Sequence, residues 1–183
     1  MAANQPPWPR EWLMTDERVG DRLWQAIDAL PEGGGVVFRH HATAEPERIA
    51  LGNRLASTCR ERRLVLAVAS DVELAALLGA ELVHNPAGDP GKLPVSRSVH
   101  SADEADRACR SGARLIFLSP VYATRSHPDR DPLPRESARR IVARCDVPVI
   151  ALGGMNRARF ERRRIDGFYG WAGIDAWLSD IRT

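Results

Sequence analysis

PVSRSVHSADEA, residues 94–105, joins a short strand to an alanine-rich helix through a polar turn. The strand is predicted over Val95–Val99, and the helix begins after Ser101, a residue type favoured at helix N-caps. In proteins that alternate strands and helices, the carboxyl ends of the strands carry the chemistry. His100 lies at such an end and is therefore the first candidate for a catalytic residue.

The same alternation of strand and helix runs along the rest of the chain. Short β-rich runs are predicted at Trp12–Met14, Val36–Arg39, Leu64–Val68, Leu82–His84, Val95–Val99, Leu115–Leu118, Val147–Leu152 and Gly167–Gly170. Helical patterns are predicted at Gly20–Leu30, Pro46–Arg62, Asp71–Leu78, Ala102–Ser111, Pro134–Arg144, Arg157–Arg163 and Ile174–Ile181. This order predicts an α/β fold, a closed (β/α)8 TIM barrel. The segment Asn85–Pro94, NPAGDPGKLP, is too short and too rich in Gly and Pro for a full helix, so a compact barrel with a shortened or missing helix between strands 4 and 5 is expected.

Length and composition indicate one domain spanning residues 1–183, with residues 1–11 expected to form a flexible N-terminal extension. The three cysteines form no CxxC motif, which is typical of free thiols in a reducing compartment. No apolar run approaches the length of a membrane span, so a cytoplasmic location without membrane contact is expected. The net charge of +2 does not suggest nucleic-acid binding. Formation of a homo-oligomer is left open.

Two further features concern binding of anions. The apolar run Val149–Leu152 leads into Gly153 and Gly154, an arrangement in which backbone N–H groups converge on a phosphate. The five arginines within residues 157–164 are interpreted instead as a solvated helix face with local salt bridges, in preference to a polyanion site.

Three ordered motifs resemble consecutive motifs of the thiamine phosphate synthase superfamily. They are SRSVHSADEA at residues 96–105, LSPVYATRSHPDRDPL at residues 118–133 and PVIALGGM at residues 148–155. The sequence RSVHS and the residues GGM at the end of the third motif are most similar to those of the thiazole tautomerase branch, TenI. The resemblance implies a TIM barrel that binds a thiazole phosphate, and in the synthase also a pyrimidine pyrophosphate with Mg²⁺.

The resemblance also implies roles for individual positions. His100 matches the histidine to which the tautomerase branch assigns catalysis, and His127 stands where the synthase has a lysine. The positions implied in binding the substrate or its phosphate are Arg39, Ser98, Thr124, Ser126, His127, Gly153, Gly154, Gly173 and Ile174.

Departures from the synthase pattern affect its metal site. An Asn-Asp pair follows the third strand of the synthase, and its Asp helps to hold Mg²⁺, whereas this chain has Ala69 and Ser70. Asp89 matches a second carboxylate ligand, but a single carboxylate is a poor site for a hard cation. A histidine in place of the lysine is also largely uncharged near neutral pH. A tautomerase reaction needs only a group that takes and returns a proton, and it needs no metal.

The expected function is therefore a thiamine-biosynthesis enzyme that acts as a thiazole tautomerase with His100 as acid and base. Two alternatives stay open: a Mg²⁺-dependent thiamine phosphate synthase, and a homologue that binds a phosphorylated ligand without turnover or acts as a regulator. His100 itself has a second interpretation, in which it only caps the following helix or bonds within the barrel. The remaining histidines, His40, His41 and His84, show no metal-ligand spacing.

Overall fold

A computed structural model of the chain describes residues 8–124 and 130–178. Eight parallel strands form one closed barrel in which each strand pairs with its neighbours in chain order. They are β1 (Glu11–Met14), β2 (Gly35–Phe38), β3 (Val65–Ala69), β4 (Leu82–His84), β5 (Val95–Val99), β6 (Leu115–Leu118), β7 (Val149–Ala151) and β8 (Gly170–Gly173). The pairing of β1 with β8, in which Trp12 lies opposite Ala172, closes the barrel and confirms the predicted fold.

Helices connect most of these strands on the outside of the barrel. They are α1 (Leu23–Asp28), α2 (Glu45–Glu61), α3 (Val72–Leu78), α4 (Ala102–Arg110), α5 (Arg135–Arg144) and α6 (Arg157–Arg163), with 3₁₀ turns at Glu17–Arg22, Arg164–Asp166 and Asp175–Trp177. Residues 85–94, all of them described, contain no helix between β4 and β5. The prediction of a missing helix at this place is therefore confirmed.

Most predicted boundaries agree with the structure to within two residues, but three elements differ by more than that or in type. The last strand begins at Gly170 because Gly167, with φ of 88°, ends the preceding 3₁₀ turn. The first helical segment is broken by Gly20, whose φ is 52°, so it divides into a 3₁₀ turn and α1. The helix predicted over residues 174–181 is a 3₁₀ turn as far as Leu178, and its last three residues lie outside the described part.

The N-terminal segment also differs from expectation. Glu11 is the first residue of β1, and the carbonyl groups of Trp8 and Arg10 accept hydrogen bonds from the Tyr169 hydroxyl and the Trp171 N–H, both at 2.7 Å. Residues 8–11 therefore belong to the barrel and not to a flexible extension, because they add pairing to its closing strand. Residues 1–7 are outside the described part.

Alternation along each strand divides the buried apolar side chains into two clusters. Trp12, Val37, Leu115 and Phe117 belong to the cluster inside the barrel, and a larger cluster lies between the barrel and the helices. The Trp12 indole packs edge-on against the Phe117 ring at 5.5 Å and fills the interior. The barrel interior is therefore a packed core among the described residues, and a ligand is expected at the ends of the strands. No described helix has the length and apolar character needed to cross a membrane.

Candidate functional site

A cavity of about 310 Å³ lies at the carboxyl ends of the strands, which is a volume suited to a small ligand. Its walls come from the segments that follow β2, β5, β6, β7 and β8. The residues that the sequence pointed to and that line this cavity are Arg39, His100, Thr124, Gly153, Gly154, Gly173 and Ile174. Strand ends that are far apart in the sequence therefore meet at one rim.

His100 is held in one orientation by the end of β6. Its Nδ1 lies 2.9 Å from the Ser119 carbonyl oxygen, and 3.1 Å from the Ser119 hydroxyl. Because a carbonyl only accepts, this contact assigns the proton of the neutral ring to Nδ1. Nε2 then carries the free lone pair and has no partner among the described residues. An imidazole fixed in this way can accept a proton from a ligand in the cavity.

The helix that follows His100 is capped by other groups. The Ser101 hydroxyl accepts the Glu104 N–H at 3.2 Å, and the Glu104 carboxylate accepts the His100 N–H at 2.7 Å. This reciprocal arrangement satisfies the first turn of α4 without the imidazole. The interpretation of His100 as a helix cap is therefore wrong, and its side chain remains available to the cavity.

Gly153 and Gly154 form a turn that only glycine can adopt here. Their φ angles are 90° and 58°, and a Cβ on Gly154 would lie 2.4 Å from the Ala123 carbonyl oxygen. Their N–H groups find no acceptor among the described residues, and both glycines line the cavity. Consecutive amides that are free at a cavity wall make a binding place for an anion.

Arg39 stands across the cavity at the end of β2. Its backbone N–H donates to the Thr15 hydroxyl at 2.9 Å, and its Nη2 pairs with an Asp16 carboxylate oxygen at 3.0 Å. Burial lowers the pKa of Arg39, while the charges of Asp16 and Glu17 act against this shift. An arginine stays protonated at neutral pH, so this wall carries a fixed positive charge.

Arg159 is a site residue that sequence reasoning missed. Its Nη1 donates to the Gly154 carbonyl, and its guanidinium lies 4.8 Å from the centre of the Tyr122 ring. Asn156, which caps α6 by accepting the Arg159 N–H at 2.8 Å, directs this first turn toward the glycines. The interpretation of the arginine cluster as a solvated face is thus wrong for Arg159, and also for Arg163, which is buried against Asp166 at 2.7 Å.

Ser98 and His84 form a hydrogen-bonded group beside β5 rather than part of the cavity lining. His84 Nε2 lies 3.1 Å from the Ser98 hydroxyl, and its Nδ1 lies 3.0 Å from the Ser96 hydroxyl. The ring is 3% exposed, and burial, followed by the charges of Arg39 and Arg97, lowers its pKa to about 3. His84 is therefore a neutral ring that orients the Ser98 hydroxyl. Ser126 and His127 lie outside the described residues.

The residues at the predicted metal position do not fit Mg²⁺. Ala69 offers no side-chain oxygen, and Ser70 offers a single hydroxyl. Asp89 is exposed in the β4–β5 loop, where its Oδ1 accepts the Gly91 N–H at 3.0 Å. Within residues 8–124 and 130–178, no three His, Cys, Asp or Glu side chains form a group that could hold a metal ion. A hard cation that prefers six oxygen ligands finds too few here.

Comparison with known proteins identifies the family. The family model described as thiamine monophosphate synthase matches residues 12–177. The chain belongs to the thiamine monophosphate synthase family. This confirms the superfamily that the three motifs resemble, and with it a family role in thiamine biosynthesis.

The relatives are similar over nearly the whole chain. A putative thiamine-phosphate synthase 2 of Aquifex aeolicus is 26% identical over 182 residues, covering 93% of this chain and 98% of the relative. A thiamine-phosphate synthase of Roseiflexus sp. is 30% identical over 180 residues, covering 90% and 76%. The solved thiamine phosphate pyrophosphorylase of Pyrococcus furiosus has a TM-score of 0.82 at 24% identity, covering 96% and 90%, which is a likeness in fold. These names do not specifically support the expected tautomerase, and the synthase alternative fits them better.

Proposed function

We propose that this chain is a transferase that joins a pyrimidine pyrophosphate to a thiazole phosphate. The observation that supports this reaction is the presence of two places for an anion in one cavity. The amides of Gly153 and Gly154, which meet no acceptor among the described residues, lie at the end of β7, and the guanidinium of Arg39 lies at the end of β2. A reaction between two phosphorylated substrates needs two places for phosphate groups, whereas a tautomerase acts on a single phosphorylated substrate.

Different residues of the cavity bind the two substrates. The amides of the glycine pair bind the thiazole phosphate, and Arg159 braces that turn through the Gly154 carbonyl. Arg39 faces the pyrophosphate of the pyrimidine, whose carbon–oxygen bond breaks as the new carbon–nitrogen bond to the thiazole forms. The electron pair of the broken bond leaves with pyrophosphate, so a fixed positive charge near that group favours the reaction. No step is assigned to Mg²⁺, because the residues present do not fit it.

A direct assay tests this function. The protein is incubated with the pyrimidine pyrophosphate and the thiazole phosphate, in excess Mg²⁺ and in excess EDTA, and both products are quantified. We expect thiamine phosphate and inorganic pyrophosphate in equal amounts. Arg39→Gln should lower the rate by about a hundredfold, the effect of removing one charge-stabilising donor. Arg140→Gln, a change at an exposed arginine on α5, is the matched control and should keep the wild-type rate. Absence of thiamine phosphate under both conditions would refute the synthase.

A thiazole tautomerase is the second candidate, and the orientation of His100 favours it. The Nδ1 proton is held by Ser119, so Nε2 is free to take a proton from ring carbon and to return it at the exocyclic carbon. His100→Ala should then lower the rate of aromatisation of the thiazole carboxylate phosphate by about 10²–10⁴-fold in EDTA. A rate that is unchanged in this variant would remove His100 from the mechanism.

The two assays also define the third alternative, a homologue without turnover. If neither thiamine phosphate nor the aromatised thiazole forms, but calorimetry shows that thiazole phosphate binds, the remaining function is binding or regulation without turnover. Gly154→Asp is not a clean probe of phosphate binding, because the change would also disturb the turn. The positive φ of Gly154 and the nearby Ala123 carbonyl make any side chain there strained.

The cytoplasmic location stays a prediction.

A further inference from the structure

The carboxyl end of β3, where the synthase pattern has metal-binding residues, is occupied by a guanidinium group. Arg48 reaches there from α2, with Nη1 2.7 Å from an Asp71 carboxylate oxygen and Nη2 3.4 Å from the Ala69 carbonyl oxygen. Its side chain is only 14% exposed and its guanidinium lies 5.7 Å from the centre of the Phe38 ring. Arg48 is therefore packed in place and is not a freely moving surface side chain.

Other basic groups surround the same strand ends. His41 and Arg48 line one hollow of about 460 Å³ beside α2. Burial, followed by the charges of Arg48 and Arg39, lowers the pKa of His41, so both guanidinium groups act on the His41 ring. The ends of β2 and β3 thus present guanidinium N–H groups, which can donate to an anion and cannot act as ligands of a divalent cation.

The acidic groups next to Arg39 and Arg48 at these strand ends are already engaged, whereas Glu45 and Glu73, which also line the hollow beside α2, are exposed. Asp16 is paired with Arg18 at 2.7 Å and with Arg39 at 3.0 Å. Asp71 accepts the Leu74 N–H as the N-cap of α3 in addition to its pair with Arg48. Burial would raise the pKa values of Asp16 and Asp71, but these hydrogen bonds and guanidinium charges hold both below their ordinary value.

A third carboxylate, that of Glu17, is engaged as well. It accepts the Ala42 N–H at 2.8 Å. Using Asp16 or Asp71 as a metal ligand would break an existing contact and bring the ion against a guanidinium.

We propose that this chain binds the pyrophosphate group of its substrate through guanidinium groups, with Arg39 as the direct contact, and without a divalent cation. Only Nη2 of Arg39 is used by Asp16, and its Nε and Nη1 have no acceptor among the described residues. A guanidinium matches phosphate oxygens with two parallel hydrogen bonds, so it can supply both charge and orientation. Arg48 is a positioning residue that fills the metal position. The identity of the anion rests on the proposed synthase function.

Calorimetric titration of the full chain with inorganic pyrophosphate tests the proposal without relying on turnover. The titration is made in excess EDTA and again in excess Mg²⁺. We expect binding in EDTA, with a dissociation constant no more than about threefold weaker than in Mg²⁺. Arg39→Gln should weaken binding by about ten- to a hundredfold, the loss of a hydrogen-bonded charge contact. Arg140→Gln should bind as the wild type does. If Arg39→Gln fails to fold, Arg39→Lys replaces it as the test variant. This change keeps the positive charge but loses the paired N–H donors of the guanidinium, so it should weaken pyrophosphate binding by about tenfold.

Binding that needs Mg²⁺, or equal binding by wild type and the Arg39 variants, would overturn the proposal. A second measurement uses Mn²⁺ as a paramagnetic probe. We expect no protein-bound Mn²⁺ when pyrophosphate is present. One bound Mn²⁺ ion per protein chain would contradict the proposal of metal-free binding. Failure of the proposed synthase function gives a different set of results from failure of metal-free binding. In that case pyrophosphate binds in EDTA but thiamine phosphate never forms, whereas Mg²⁺-dependent coupling with no metal-free binding would refute only this inference.

Discussion

His84 shows how one buried residue acquires its properties from its neighbours. Its two ring nitrogens form hydrogen bonds with the hydroxyls of Ser96 and Ser98, and Phe117 packs edge-on against the ring with ring centres 5.2 Å apart. Its folded-state pKa of about 3 lies well below the ordinary value of 6.5 because the burial disfavours the charged form. The ring is therefore neutral at any pH at which the enzyme works.

This shift predicts a pH dependence of stability. Below pH 6.5 the unfolded chain binds a proton at His84 that the folded chain does not, so folding stability is present above this pH and is lost as the pH falls toward 3. The contribution of one such group reaches about 1.4 kcal/mol per pH unit. We expect the free energy of unfolding, measured by urea denaturation at several pH values, to fall less steeply in His84→Gln than in wild type. Equal slopes would show that His84 is not the group responsible. His40 and His41, whose pKa values burial also lowers, remain in both proteins and so cancel in the comparison.

At the scale of elements, β1 and β2 fit together because one residue has no side chain. Gly35 lies opposite Trp12 in the register of the two strands. A Cβ on Gly35 would lie 2.3 Å from the Trp12 indole, which is 0% exposed and cannot move aside. The large ring fills the barrel interior, and the glycine on the neighbouring strand leaves room for it.

Gly35→Ala is therefore expected to lower the free energy of unfolding by about 1–3 kcal/mol, the usual cost of overpacking a core. Chemical denaturation followed by tryptophan fluorescence measures this change. Gly88→Ala is the control, since no atom lies within 4 Å of a Cβ at that exposed loop position, and it should change stability by no more than about 0.5 kcal/mol. Equal stability of the Gly35 variant and wild type would mean that Trp12 can shift.

At the scale of the whole molecule, the two ends of the described chain close the barrel together. Trp177 stacks on Trp171 with ring centres 4.7 Å apart and planes inclined by 10°. Its indole N–H also donates to the Trp12 carbonyl oxygen at 3.0 Å, which ties the last 3₁₀ turn to β1. The hydrogen bond joins residues that are 165 positions apart in the chain, so it stabilises closure of the barrel and not a local element.

Two substitutions at Trp177 separate stacking from hydrogen bonding. Trp177→Ala should lower the free energy of unfolding by about 3–5 kcal/mol, because it removes a buried aromatic side chain. Trp177→Phe keeps a ring against Trp171 but leaves the Trp12 carbonyl without this donor, and it should cost about 1–3 kcal/mol. Thermal unfolding of the three proteins gives the order. Equal losses for Ala and Phe would show that the hydrogen bond dominates, contrary to this expectation.

The sequence alone predicted the number and order of the strands, the missing helix in residues 85–94 and the glycine pair at the end of β7. These features depend on local signals: alternation of apolar residues, helix caps such as Ser101, and glycine where φ is positive. For the same reason the motif around His100 predicted the end of a strand there, and β5 ends at Val99. The late start of β8 was missed because a glycine-rich run allows more than one register, and pairing with β7 and β1 selects among them.

Only the tertiary structure decided which side chains meet. Arg159 bracing Gly154, His84 orienting Ser98 and Arg48 filling the end of β3 are all contacts between different elements. No spacing along the chain encodes them, since they depend on how each strand tilts in the closed barrel and where each helix packs against it. The sequence by itself determined that a closed eight-stranded barrel forms here, because strand order and turn chemistry are local properties. The balance of charge at the rim was decided by the fold, because charges interact through space.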